Sequence, residues 1–371
     1  MRRLLTTLAA VLVTSASHAA VTATSAYKVG VTDRVIHPEA ARNWRQAEHQ
    51  ELHVLVWYPA ADTAVETKQS LGPNEKPLFD AGSAARDAAL TPGAKKLPLI
   101  LLSHGTGGSA EQLAWLGIAL ARAGFIVAAV NHPGNNAHER YTVEGFTLWW
   151  ERATDVSQVL DAMLADKQFG ERIDPKRVGA SGFSLGAYTS LLLAGAQSDI
   201  SDYYDVCVPG GPANKLDIDT TVCNVPETRD LGTPLEALRK TRATSAESLA
   251  YSGQSFEDDG IRAVFAIAPA LAFTFDEDSL KDIHIPVQLV TGKLDRIAAA
   301  RDNADYVHAM VHGSREDVLP NVNHYTFLDT CTPAGKESVK TFCSDAPGLE
   351  REAVHQQVAN MAIQFFQRNL R

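Results

Sequence analysis

The chain has 371 residues, 45% of them hydrophobic and 21% charged, with a formal net charge of −10. That composition is globular, with enough apolar residues for a sizeable core. The negative balance disfavours nucleic acid and anionic membrane surfaces as partners, and no apolar run is long enough to suggest a transmembrane segment.

Residues 1–19 read as a signal peptide. Met1-Arg2-Arg3 is a charged start, residues 4–13 are a short apolar run, and Ser17-His18-Ala19 offers small residues where a signal peptidase cuts. The expected location is periplasmic or secreted, with residues 20–371 as one domain. Strands are expected over residues 27–36 and 52–58, where β-branched and aromatic residues concentrate. The Pro-, Gly- and Ala-rich stretch 60–96 reads as a loop. Leu97–Ser103 is a near-continuous apolar run, as a central parallel strand requires. It leads into His104-Gly105-Thr106-Gly107-Gly108, then a helix over 110–122 and a buried strand over 125–130. Apolar residues at helical spacing mark a helix over 148–164.

The short strand 177–181 and the helix 185–196 flank Gly182-Phe183-Ser184-Leu185-Gly186, a G-x-S-x-G pentapeptide. Strand, sharp turn and helix are the context in which such a serine is presented as a nucleophile. Residues 197–260 then break the alternation and read either as a cap over the site or as a surface excursion. Strands follow at 261–268 and 285–291, a helix at 298–310, a short strand at 318–320 and a closing helix at 349–370. This order implies an α/β fold with a mainly parallel sheet and helices on both faces.

A serine hydroxyl needs a base, and the base needs a carboxylate to hold its tautomer. In an α/β-hydrolase the chain order is Ser, Asp or Glu, then His. Asp295, just past the strand 285–291, and His324, just past the last strand, meet that order. His308 and His312 are competing bases within or after a helix. Asp302 and Asp305 fall on that predicted helix as a solvated face, and Asp276-Glu277-Asp278 reads as a loop or helix start rather than a calcium site. The oxyanion of acyl transfer needs two donors. The backbone N–H of Leu185 and that of Thr106, in the glycine-rich turn, are the candidates. Trp149 and Trp150 are core residues or a pocket wall; Arg152 and Asp155 are spaced to pair on one helix.

The cysteines are Cys207, Cys223, Cys331 and Cys343. Of the possible pairings, the local ones, Cys207 with Cys223 and Cys331 with Cys343, suit an exported protein; the spacings lack the C-x-x-C of a zinc site.

Val56-Trp57-Tyr58-Pro59, the Ser103 to Gly108 turn, Asn131-His132-Pro133-Gly134, the Gly182 to Gly186 elbow and His324-Tyr325-Thr326-Phe327-Leu328-Asp329 recur together elsewhere. In them the chain resembles bacterial dienelactone-hydrolase-like proteins close to the platelet-activating-factor acetylhydrolase isoform II family. The resemblance implies an α/β-hydrolase with Ser184, Asp295 and His324 as triad, Leu185 and Thr106 as oxyanion hole, a small-molecule or lipid ester as substrate, and neither metal nor organic cofactor. Dienelactone hydrolases carry a cysteine nucleophile where this chain has Ser184, so dienelactone is not implied. A peptidase or amidase on the same fold is the alternative; a non-catalytic binding protein on this scaffold is the third reading.

Overall fold

The computed structural model describes residues 27–38, 47–201, 203 and 234–371. The expected signal peptide and the Cys207–Cys223 pairing lie outside the described residues. Among the described residues eleven strands form one sheet: β1 (Lys28–Ile36), β2 (Leu52–Ala60), β3 (Thr67–Leu71), β4 (Phe79–Arg86), β5 (Leu97–Ser103), β6 (Ile126–Asn131), β7 (Ile173–Phe183), β8 (Ile261–Ile267), β9 (Val287–Gly292), β10 (Arg315–Leu319) and β11 (Thr330–Cys331). The order across the sheet is β10-β9-β8-β7-β5-β6-β2-β1-β4-β11, with β3 paired to β4. From β10 to β6 every pairing is parallel, whereas β2 is antiparallel to both β6 and β1. This is the α/β-hydrolase fold that the alternation of strands and helices implies.

The parallel strands are buried on both faces, which explains their unbroken apolar runs. One face carries Ile100, Leu102, Phe265 and Ile267 against helices α1 (Ala114–Arg122) and the C-terminal Arg351–Asn369. The other carries Leu99, Leu101, Val264 and Leu289 against α2 (Glu151–Ala165) and α3 (Leu185–Leu193). Adjacent residues of one strand thus feed opposite cores, the period-two rule of a strand.

The stretch 60–96 is not the loop expected: it contains β3 and β4. Phe79-Asp80-Ala81-Gly82-Ser83-Ala84-Ala85-Arg86 has no β-branched residue, so propensity is silent there. Pairing with β1 and β3 supplies the strand instead. β10 is longer than the two apolar residues that announced it, because an edge strand tolerates charged side chains. The helix expected over 298–310 is split at Asn303, whose side-chain carbonyl leaves the helix to accept the Ala272 N–H at 3.0 Å. Within the insertion 197–260, residues 204–233 lie outside the described residues. The part that follows is helical, over Pro234–Thr244 and Ala246–Leu249. No helix among the described residues is long and apolar enough to cross a membrane.

Candidate active site

Ser184 sits between β7 and α3 with φ 55° and ψ −119°. A non-glycine residue at positive φ is strained, so the surroundings must hold it. Two contacts do. Its N–H donates to the Ile267 carbonyl of β8 at 2.9 Å, and its own carbonyl accepts the Ala187 N–H at 2.9 Å. The flanking glycines are required by space. A Cβ on Gly182 would run into the Gly186 carbonyl, and one on Gly186 into the carbonyl of Ser103 at the end of β5.

His324 and Asp295 come to Ser184 from the ends of the neighbouring strands. Asp295 lies in the turn after β9, and the His324 loop follows β10. The two loops are knit by the Lys293 N–H to the Leu319 carbonyl and the Leu294 N–H to the Val322 carbonyl, both 2.9 Å. His324 Nδ1 is 2.7 Å from Asp295 Oδ2, and His324 Nε2 is 3.0 Å from Ser184 Oγ. A carboxylate can only accept, so Nδ1 carries the proton and Nε2 faces the serine hydroxyl as acceptor. Burial works against the Asp295 carboxylate. The charge and hydrogen bond of His324 and the N–H groups of Ala298 and Ile297, 2.8 and 2.9 Å away, outweigh it and hold the carboxyl below its ordinary range.

The His324 loop is held from behind. Asn323 caps the turn His324–Phe327 and donates to the Ser344 carbonyl at 2.7 Å. Thr326 Oγ1 donates to Asp345 Oδ1 at 2.8 Å, and Arg351 grips Asp345 through two nitrogens, each at 3.0 Å. The Cys331–Cys343 disulfide closes this strap. Asp329, at the end of the His-x-x-Phe-x-Asp motif, accepts the Trp115 N–H at 3.3 Å; its burial raises its carboxyl well above the usual carboxylate range.

The glycine-rich turn lies against the serine: a Cβ built on Gly105 would be 3.3 Å from the Ser184 Cβ. Thr106 is at the tip of this turn, and Leu185 is the first residue of α3, where backbone N–H groups lack partners within the helix. The turn is pinned by side chains from the loop after β6. Asn135 Oδ1 accepts the Gly107 N–H at 2.7 Å and Tyr141 donates its hydroxyl to the Gly107 carbonyl at 2.8 Å.

Behind the turn is a second set of polar residues, all buried. His132 Nδ1 is 2.7 Å from Asp155 Oδ2, and His132 Nε2 is 2.9 Å from Ser103 Oγ. Arg152 donates to Ser103 Oγ at 3.3 Å and to the His104 carbonyl. Spacing alone pairs Arg152 with Asp155 on their helix; in the fold each reaches off it, Arg152 to Ser103 and His104 and Asp155 to His132. His104 and His132 stand in the quoted motifs, yet nothing local marks them as partners, because β5, β6 and α2 bring them together.

The remaining candidates fall elsewhere. His308 bonds Ser314 Oγ at 2.9 Å, and Asp276 caps a helix start by accepting the Ser279 N–H at 2.8 Å. Trp149 and Trp150 are buried and also seat the insertion. Trp149 packs edge-on against Tyr203 with centroids 4.7 Å apart, and Trp150 donates to Ser248 Oγ at 3.0 Å.

The model of the family described as platelet-activating factor acetylhydrolase, isoform II, matches residues 80–147, which hold the glycine-rich turn and the Asn131 to Gly134 segment. Lipase 1 of Moraxella sp. (strain TA144) is 34% identical over 90 residues, 24% of this chain and 25% of the lipase. The putative esterase NocK of Nocardia uniformis subsp. tsuyamanensis is 28% identical over 169 residues, 38% of this chain and 45% of the esterase. The chain therefore spans less than half the length of either curated relative. A solved ferulic acid esterase from Streptomyces cinnamoneus superposes with a TM-score of 0.62 at 18% identity, covering 95% of this chain and 92% of that one, which shows the fold.

Proposed function

We propose, for a chain that is an α/β-hydrolase related to the platelet-activating-factor acetylhydrolase isoform II group, that it hydrolyses carboxylic esters through an acyl-enzyme on Ser184. The observation that carries this reading is the unbroken chain from Ser184 Oγ through His324 to Asp295, at 3.0 and 2.7 Å, starting from a serine held at positive φ. His324 Nε2 takes the hydroxyl proton as Ser184 Oγ attacks the ester carbonyl, and the Asp295 carboxylate stabilises the imidazolium that forms. The N–H groups of Leu185 and Thr106 receive the developing oxyanion. The imidazolium then gives its proton to the leaving alcohol. Water, deprotonated by His324 in turn, releases the acid.

The esterase and lipase relatives favour an ester over an amide, with short acyl esters or lipid esters as the substrate class. The insertion acts as a cap: its helices seat on residues 147–151, immediately before Arg152, which contacts the glycine-rich turn. Export to the periplasm or beyond agrees with the residue 1–19 pattern and with a disulfide, which persists in oxidising compartments.

The test is hydrolysis of p-nitrophenyl acetate, butyrate, octanoate and palmitate beside an aminoacyl anilide, with Ser184→Ala as control. Ester turnover that vanishes in the variant supports the reading, and its dependence on chain length sizes the pocket. Anilide turnover without ester turnover replaces it with a peptidase, and activity persisting in Ser184→Ala overturns the nucleophile.

A further inference from the structure

The oxyanion donor assigned to Thr106 belongs to the peptide unit between Gly105 and Thr106. In a trans peptide the carbonyl and the N–H point in opposite directions, so fixing one aims the other. The Gly105 carbonyl is held from two sides: His104 Nδ1 lies 2.6 Å from it, the shorter contact, and the Gly108 N–H donates to it at 3.2 Å. A carbonyl only accepts, so His104 carries its proton on Nδ1, and its Nε2 accepts the backbone N–H of His132 at 3.2 Å. Burial, then the nearby Arg152 charge, pushes His104 well below the usual histidine range, which keeps the ring neutral in this single tautomer. Hydrogen bonding at the carbonyl also polarises the N–H on the other side of the same peptide, strengthening it as a donor.

The parts that hold His104 are themselves chained. Arg152 donates to the His104 carbonyl and to Ser103 Oγ, and His132 stands between Ser103 Oγ and Asp155 Oδ2. With Asp155 accepting from Nδ1, His132 Nε2 accepts the Ser103 hydroxyl. Every proton then has one direction: Arg152 to Ser103, Ser103 to His132, His132 to Asp155. Arg152, Ser103, His132 and Asp155 are each at most 2% exposed. Substrate cannot reach them, so any part they play in the reaction is exerted through the turn they hold.

Resting on the hydrolase reading above, we propose that the Arg152–Ser103–His132–Asp155 chain is the positioning device of the oxyanion hole, acting through His104 on the Gly105–Thr106 peptide. None of its members touches substrate. Weakening it lets the Thr106 N–H drift from the position the oxyanion occupies, which costs rate and not substrate affinity.

The experiment compares Asp155→Asn, Ser103→Ala, Arg152→Lys and Arg152→Gln with the unaltered enzyme. It reads kcat and KM on p-nitrophenyl butyrate and Ki for an alkyl trifluoromethyl ketone, which adds to Ser184 and places an oxyanion in the hole. Active sites are counted by burst titration, so unfolded protein does not enter the rates. The expected result is a kcat lower by about 10- to 100-fold in Asp155→Asn and Arg152→Gln, with KM within about 3-fold. Ser103→Ala and Arg152→Lys lose less, about 10-fold or under, since a lysine ammonium still offers a donor to the His104 carbonyl. Ketone Ki rises across the series by the factor that kcat/KM falls. Unchanged kcat in Asp155→Asn and Ser103→Ala overturns the proposal, even if both Arg152 variants fail to fold. A kcat loss with unchanged ketone Ki overturns it too, because the damage then lies outside the oxyanion hole. If the unaltered enzyme neither turns over esters nor binds the ketone, the hydrolase reading falls first and the proposal with it.

Discussion

Two Ser–His–Asp chains are made of the same residue types at nearly the same distances. In one, His324 is 3.0 Å from Ser184 and 2.7 Å from Asp295; in the other, His132 is 2.9 Å from Ser103 and 2.7 Å from Asp155. Their backbones differ. Ser184 is a single residue at positive φ between a strand and a helix, whereas Ser103 is the last residue of β5 in ordinary extended geometry. Ser184 faces the glycine-rich turn, and Ser103 faces the Arg152 guanidinium, which occupies its lone pair. On the proposed reading, a nucleophile needs more than three residue types in hydrogen-bond contact. It needs a turn that lifts the hydroxyl out of the sheet and leaves the oxygen unhindered.

The largest expected effect breaks this comparison directly. Ser184→Ala lowers kcat by about 10⁴-fold or more, while the same change at Ser103 costs about 10-fold or less. Rates on p-nitrophenyl butyrate, normalised to folded protein, decide it; equal losses would mean that the two chains are not distinct in function. Next comes Asp295→Asn, which keeps the shape but reverses the histidine tautomer. A kcat loss of about 10³- to 10⁴-fold with unchanged thermal stability is expected. Its counterpart Asp155→Asn should fall well short of that, because His132 moves no proton in turnover.

A smaller effect tests the strap that only the first chain possesses. Cys331 and Cys343 close a loop with a sequence separation of 12, which in the chain-entropy model stabilises by about 3 kcal/mol. Cys331→Ser with Cys343→Ser should lower the melting temperature by several degrees and raise sensitivity to proteolysis around Asp345. The strap bonds Thr326, two residues past His324, so burst amplitude per folded molecule should change through His324. A variant as stable as the parent would show that Arg351 and Asp345 hold the loop unaided.

What can be read in the amino-acid order follows the same division. Ser184 is legible because its constraints are local: two glycines, one strand and one helix within a few residues. Asp295 and His324 are legible as polar residues just past buried strands, in the order Ser, Asp, His. The buried chain is not legible, because Ser103, His132 and Asp155 come from β5, the end of β6 and α2 with no spacing rule between them. β3 and β4 escape for a related reason, since strand pairing and not side-chain propensity makes them. Asp345 and Arg351 act at a distance from His324 through Thr326, and nothing in their own neighbourhood announces it.

The weakest probe separates the surroundings of the two chains by pH. His355 lies behind the His324 loop, stacked on Trp115 at 4.5 Å, with Nε2 donating to the Thr326 carbonyl at 2.9 Å. Burial pushes it down to about 4 despite that hydrogen bond, with the Arg351 charge adding to the effect. A histidine lowered in the folded state favours folding while neutral. Its contribution is therefore complete above about pH 6.5 and is lost as pH falls towards 4. By pH 5 the loss amounts to about 2 kcal/mol for this one group. His104, beside the buried chain, shifts in the same direction, so His355→Gln removes only part of the slope. Melting temperatures between pH 7 and 4.5 should fall less steeply in that variant than in the parent. If the two curves run parallel, His355 is not the group that links acid to the His324 loop.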